Sequence, residues 1–141
     1  MIHGNATQAM SDSKTIHLAD DDEDDRLLMK EAMEEVDPTV NVVEAENGAE
    51  LLKNLKDDHS QADSVIILDM NMPVMNGLET MSAIKADPET EKIPTVMMST
   101  SSNPVLKKKA FDAGVDEFIT KPSTFRALIS VVNKIIRRFL S

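Results

Sequence analysis

Short apolar runs alternate with longer amphipathic segments along this chain, and the alternation sets the elements it should form. Residues 15–20 read as a strand, followed by a helix over about 24–36 with Leu28, Ala32 and Val36 on one stripe. Asp37-Pro38 stops that helix, because proline disfavours helical geometry in the residue before it. Residues 40–44 make a weaker, more polar strand that belongs at a sheet edge. Asn47-Gly48 then turns into a helix carrying Leu51, Leu52 and Leu55. Residues 65–69 are continuously apolar up to Asp69, as in a central parallel strand covered on both faces. Pro73 and Gly77 bracket a loop before a helix with Met81 and Ile84. A fourth strand follows Pro94, and Asn103-Pro104 supplies a cap and a first helical position. Phe111, Ala113 and Gly114 close that helix before a fifth strand at 115–120, and a last helix runs over about 124–140. The expectation is (βα)5: an α/β, doubly wound parallel five-stranded sheet with right-handed crossovers, in one domain over residues 14–141. Residues 1–13 lack the pattern and are expected to be a disordered tail.

Polar residues stand where the apolar runs end. Asp20, Asp21 and Asp22 follow the first run, Asp69 ends the third, Ser99 and Thr100 end the fourth, and Lys121-Pro122 ends the fifth. In an open parallel α/β sheet, ligands bind beyond the carboxyl ends of the strands. Three carboxylates meeting there repel one another unless a cation joins them. A lysine and a hydroxyl beside them suit a phosphoryl group. The arrangement points to magnesium and phosphate chemistry at one aspartate.

Composition narrows the field further. A length of 141 residues, 41% hydrophobic and 28% charged, suits one globular domain with a sizeable core. The net charge of −10 argues against a nucleic-acid surface spread over the whole chain, and much of the acidity lies in residues 20–25. With no cysteine there is no disulfide, thiolate nucleophile or zinc-thiolate site, which fits a cytoplasmic protein. No stretch approaches a membrane span, and residues 1–13 have no apolar core of a signal peptide.

Several segments together resemble the receiver domain of two-component response regulators, across residues 14–141. They are Leu18-Ala19-Asp20-Asp21-Asp22, the run from Leu68 to Gly77, Met98-Ser99-Thr100 and Phe118-Ile119-Thr120-Lys121-Pro122, with Ala45-Glu46-Asn47-Gly48-Ala49-Glu50 at the second helix. The resemblance implies a flavodoxin-like strand order of 2-1-3-4-5. It implies Asp69 as phosphoacceptor from a sensor histidine kinase or histidine phosphotransfer protein, with Mg²⁺ held by Asp20, Asp21, Asp69 and the Asn71 carbonyl. Lys121 and Ser99 would meet phosphoryl oxygens, Phe118 would follow Ser99 inward, and the Lys121-Pro122 bond would be cis. The implied protein is a stand-alone regulator and a stoichiometric acceptor, not a turnover enzyme. It would switch a downstream protein partner or pass phosphate on. The wording around Asp69, with Ser-Thr-Ser after the fourth strand, is similar to regulators paired with bacterial phytochromes.

Blander readings stand beside these. Asp22 to Asp25 suit a solvated helix N-terminus. The same run imitates a calcium loop, but Asp25 occupies the sixth position, where the turn needs glycine. The ten methionines read as packing, and His17 as a core histidine bonded to a neighbour. Thr100 is larger than the usual residue after the switch hydroxyl, and Phe118 lacks a tyrosine hydroxyl. Lys107, Lys108 and Lys109, with Lys134, Arg137 and Arg138, form a solvated basic face or a dock for an acidic partner, with no DNA-reading module in view. The last helix carries Phe125, Leu128, Ile129, Val132, Ile135, Ile136, Phe139 and Leu140. An exposed apolar end there would favour a homodimer. Two other functions remain open: a magnesium-dependent hydrolase with Asp69 as nucleophile, and a pseudo-receiver that only binds partners.

Overall fold

Five parallel strands pair in the order β2-β1-β3-β4-β5, in a computed structural model that describes residues 14–58 and 63–140. In chain order the elements are β1 (Lys14–Ala19), α1 (Glu23–Val36), β2 (Val40–Ala45), α2 (Gly48–Asp57), β3 (Asp63–Asp69), α3 (Gly77–Ala86), β4 (Thr95–Ser99), α4 (Pro104–Ala113), β5 (Glu117–Thr120) and α5 (Phe125–Phe139). The expected strand order and the edge position of β2 are both found. The tail expected at residues 1–13 lies outside the described residues. No helix among the described residues is long and apolar enough to cross a membrane.

The alternation of side chains along each strand splits the core into two layers. Ile16, Leu18, Val65, Ile67, Val96 and Met98 face α1 and α5. Ala19, Ile66, Leu68 and Met97 face α2, α3 and α4, with Leu51, Met81, Ile84 and Ala110 from those helices. Each fully buried aliphatic side chain contributes roughly 1.5–3 kcal/mol. Polar side chains fix where the helices begin. Asp22 caps α1, Asn47 caps α2, Thr124 caps α5, and Asn76 with Glu79 forms a reciprocal capping box on α3. Asn103 and Pro104 start α4 as the sequence indicates, and Gly114 ends it in the left-handed region at φ 109°.

Three expectations change. Leu28 is 44% exposed, and α1 faces the sheet through Met29, Ala32 and Met33 instead. Leu27, Leu28 and Met29 are consecutive, and the unbranched methionines fill the layer beneath the helix. Leu140 is fully buried in the same layer as Val132 and Ile136, so the helix end suspected of forming a homodimer contact packs on its own core. Phe139 beside it is half-buried. Among the described residues no peptide bond is cis, so Lys121-Pro122 is trans, the ordinary preference for X–Pro. The Lys121 N–H donates to the Ser99 carbonyl at 2.7 Å, which carries the β4–β5 pairing straight into the lysine.

Candidate functional site

The parallel pairing delivers the chemistry to one edge. Asp20 follows β1, and its N–H still donates to the Ala45 carbonyl at 3.1 Å, extending the β1–β2 ladder. Its Oδ1 accepts the Asp22 N–H at 3.0 Å, so the carboxylate is locked into the turn that starts α1. Asp69 is the last residue of β3 and is 6% exposed. The Asn71 N–H donates to Asp69 Oδ1 at 3.4 Å. One oxygen from each of Asp20, Asp21 and Asp69 lies within 4.8 Å of the others. Asp20 and Asp69 are buried while Asp21 is exposed, so the group opens to water on one side.

Lys121 reaches this cluster from beyond β5. Its Nζ lies 3.1 Å from Asp25 Oδ2, 3.2 Å from Asp20 Oδ2 and 3.5 Å from Asp69 Oδ1. The charges reshape one another. Burial first, then the Asp20 charge, pushes the Asp69 carboxyl up to about 6, against partial relief from Lys121 and the Asn71 N–H. Burial likewise raises Asp20, with the Asp22 N–H and Lys121 opposing it. For Lys121, burial works against the ammonium, and the Asp20 and Asp69 carboxylates outweigh it and hold the lysine charged. Three hard oxygen donors around a partly open space fit Mg²⁺, which takes oxygen ligands octahedrally and keeps several waters.

Ser99 ends β4 beside Asp69, fully buried, and its Oγ accepts the Ser101 N–H at 3.1 Å. That bond leaves the hydroxyl proton free to be donated elsewhere. Phe118 is 7% exposed and packs in the layer with Met97 and Ala110. It therefore already points inward. Thr100, next to Ser99, is exposed at the rim.

Sequence reasoning missed two contributors. Asp25, which its position in the acidic run marks as a solvated acid at a helix start, pairs with Lys121. Arg26 is buried, with Nη1 donating to the Asp20 carbonyl at 2.8 Å and Nε to Glu44 Oε1 at 3.1 Å. Glu44 also accepts from Lys30 at 3.0 Å. This network fastens the acidic turn to β2. Its signal was a lone arginine in register with the buried positions of α1. His17 lies in mid-β1, away from this cluster, buried, with Nε2 3.0 Å from Asp58 Oδ2, a core histidine bonded to a neighbour as expected. Two members of the basic face are internally paired, Lys108 with Asp112 and Arg138 with Glu117.

Known proteins share this frame. Residues 16–133 match the family described as the response regulator receiver domain. The chain is 38% identical over 88 residues to the chemotaxis protein CheY1 of Helicobacter pylori, covering 62% of this chain and 69% of that one. It is similar to the crystal structure of the phosphorylated cyanobacterial phytochrome response regulator RcpA, with TM-score 0.82, 32% identity, and 92% and 95% of the two chains covered. The Mn²⁺-bound response regulator Rcp1 gives TM-score 0.78 at 25% identity, covering 91% and 95%. Several other curated relatives are much longer: the chain spans only 8% of a histidine kinase from Formosa agariphila and 49% of the transcriptional regulatory protein CpxR of Escherichia coli.

Proposed function

This chain belongs to the response regulator receiver domain family, and from that membership we propose that, in the cytoplasm, Asp69 accepts a phosphoryl group from a phosphohistidine on a sensor histidine kinase or histidine phosphotransfer protein. The observation that carries the reading is the meeting of Asp20, Asp21 and Asp69 with the Lys121 ammonium at the carboxyl edge of the sheet. Asp69 attacks phosphorus in line through a carboxylate oxygen. The phosphorus–nitrogen bond breaks, the electron pair leaves with the imidazole, and an acyl phosphate remains. Asp20, Asp21, Asp69 and the Asn71 carbonyl would hold Mg²⁺, which when bound supplies the charge neutralisation an anionic donor needs. The Mn²⁺-bound Rcp1 supports the choice of a divalent ion.

Lys121 meets one phosphoryl oxygen as a point charge. Ser99, buried with its proton unspent, donates to another. Ser99 closing on the phosphoryl group fixes the space over Phe118 and holds that ring inward, a small bistable element biased by a local charge event. The output is changed binding of a downstream protein or onward transfer of the phosphoryl group. The acceptor acts once per phosphoryl group and does not turn over a free substrate.

Intact-protein mass after incubation with acetyl phosphate and Mg²⁺ tests the reading. One phosphoryl adduct is expected, absent without Mg²⁺ and absent in Asp69→Asn. No adduct together with no beryllofluoride binding would refute it in favour of a phosphate-independent binding module.

A further inference from the structure

Lys121 has more carboxylates than its role at Asp69 requires. Its nearest acid is Asp25 at 3.1 Å, on the first turn of α1, and Asp69 is the most distant of the three at 3.5 Å. Asp25 is not one of the three acids whose oxygens converge. Its side chain is 41% exposed, whereas Asp20 and Asp69 are buried. The carboxylate has no place among the cation's donors, and its side chain pairs with the lysine. We propose that Asp25 is a positioning residue that holds Lys121 aside from Asp69, so that a phosphoryl group on Asp69 must compete with Asp25 for the ammonium. The proposal rests on the phosphoacceptor reading of Asp69.

The competition follows from the geometry. Oxygens added to Asp69 on the side of Lys121 need Nζ to move toward them. That movement lengthens the contact with Asp25, and an ion pair given up is an opposing term in binding. The acid lies on α1 and the lysine beyond β5, so the tether also links the start of that helix to the β5–α5 turn when no phosphoryl group is present. Asp24 serves as an internal control. It lies one residue earlier in the same turn, is exposed and carries the same charge, and its backbone N–H donates to Asp22 Oδ1 at 2.9 Å. Both acids sit equally well at the positive end of the helix. Only Asp25 touches the lysine.

Beryllofluoride, which mimics a phosphoryl group on a carboxylate, reads the competition directly. Its affinity in Mg²⁺ is followed by fluorine NMR for the intact chain, Asp24→Asn and Asp25→Asn. Asp25→Asn should bind about two- to fivefold tighter, the range a partly exposed ion pair supports, and Asp24→Asn should change by less than about 1.5-fold. Equal tightening in both variants, no change, or weaker binding by Asp25→Asn overturns the tether. If the unaltered chain binds no beryllofluoride, the acceptor reading fails, and the tether is judged without metal by mass-spectrometric labelling of Lys121 with an amine-acylating reagent. Labelling about twofold or more faster in Asp25→Asn than in Asp24→Asn supports it. Equal labelling rates overturn it.

Discussion

The Asp69 carboxyl, raised to about 6 first by burial and then by the Asp20 charge, keeps its proton in the folded chain over a pH range where the unfolded chain has lost it. The sign follows directly. Between about pH 4 and about pH 6 the folded state binds more protons than the unfolded one, so metal-free stability falls as pH rises through that window. Above it the full penalty is present. Asp69→Asn should therefore stabilise the metal-free protein at neutral pH by about 1–2 kcal/mol and flatten the slope below it. Thermal unfolding in a chelator across that range checks this, and a less stable variant at neutral pH would contradict it. Val74 is a second strained residue, a β-branched side chain at φ 67° and 83% exposed in the loop after Asp69. The Met75 N–H bonds the Pro73 carbonyl across it. Nothing is packed against its side chain to lose, so Val74→Gly should gain about 1 kcal/mol by denaturant unfolding, despite the freedom glycine adds to the unfolded chain. At this scale the sequence was least readable. Asp25 and Lys121 are 96 residues apart, and no local spacing announces such a pair.

Elements hold these residues by their ends. The five strands were legible because continuous apolar runs in 65–68 and 96–98 need cover on both faces, while the polar β2 could only lie at an edge. The helix faces were less so. Leu27, Leu28 and Met29 offer three adjacent apolar candidates, and only docking on the sheet selects Met29. Leu140 escaped because the chain leaves helical geometry there, at φ −124° and ψ 13°, and sits fully buried with the α1–α5 layer. The start of α3 matters most for the site. Gly77 donates to the Met70 carbonyl at 2.9 Å, and a Cβ at this position would stand 2.8 Å from both the Asp69 carbonyl oxygen and Met70 Cα. Those obstacles are backbone, so they cannot rotate away. Gly77→Ala should destabilise the fold by about 1–3 kcal/mol and weaken beryllofluoride binding by shifting Asp69. A variant with lowered stability and unchanged affinity would show that α3 and the acid move independently.

Across the whole molecule the two edges of the sheet differ in kind. On the amino side, Asp58 at the end of α2 reaches His17 in mid-β1, while the carboxyl edge concentrates like charges in a chain of net charge −10. A divalent cation that binds only the folded arrangement must stabilise it by mass action, by about 2.7 kcal/mol at a hundredfold excess over its dissociation constant. For a chain of this size that is a rise in Tm of about 5–10 °C. The pH dependence runs opposite to that of the metal-free protein. Asp69 must be ionised to bind the cation, so the Mg²⁺ increment is complete above about 6 and fades as pH falls through that value. The metal-free protein loses stability toward neutral pH while the Mg²⁺ increment grows, so the two melting curves should separate most above neutrality. Asp21→Asn separates this from general screening of negative charge. Asp21 is exposed, so its metal-free Tm should hardly change, yet most of the Mg²⁺ increment should vanish. Melting with Mg²⁺, and with sodium chloride at matched ionic strength, decides the matter. An increment that survives in Asp21→Asn, or that sodium reproduces, would mean the acids answer to ionic atmosphere and not to a coordinated ion.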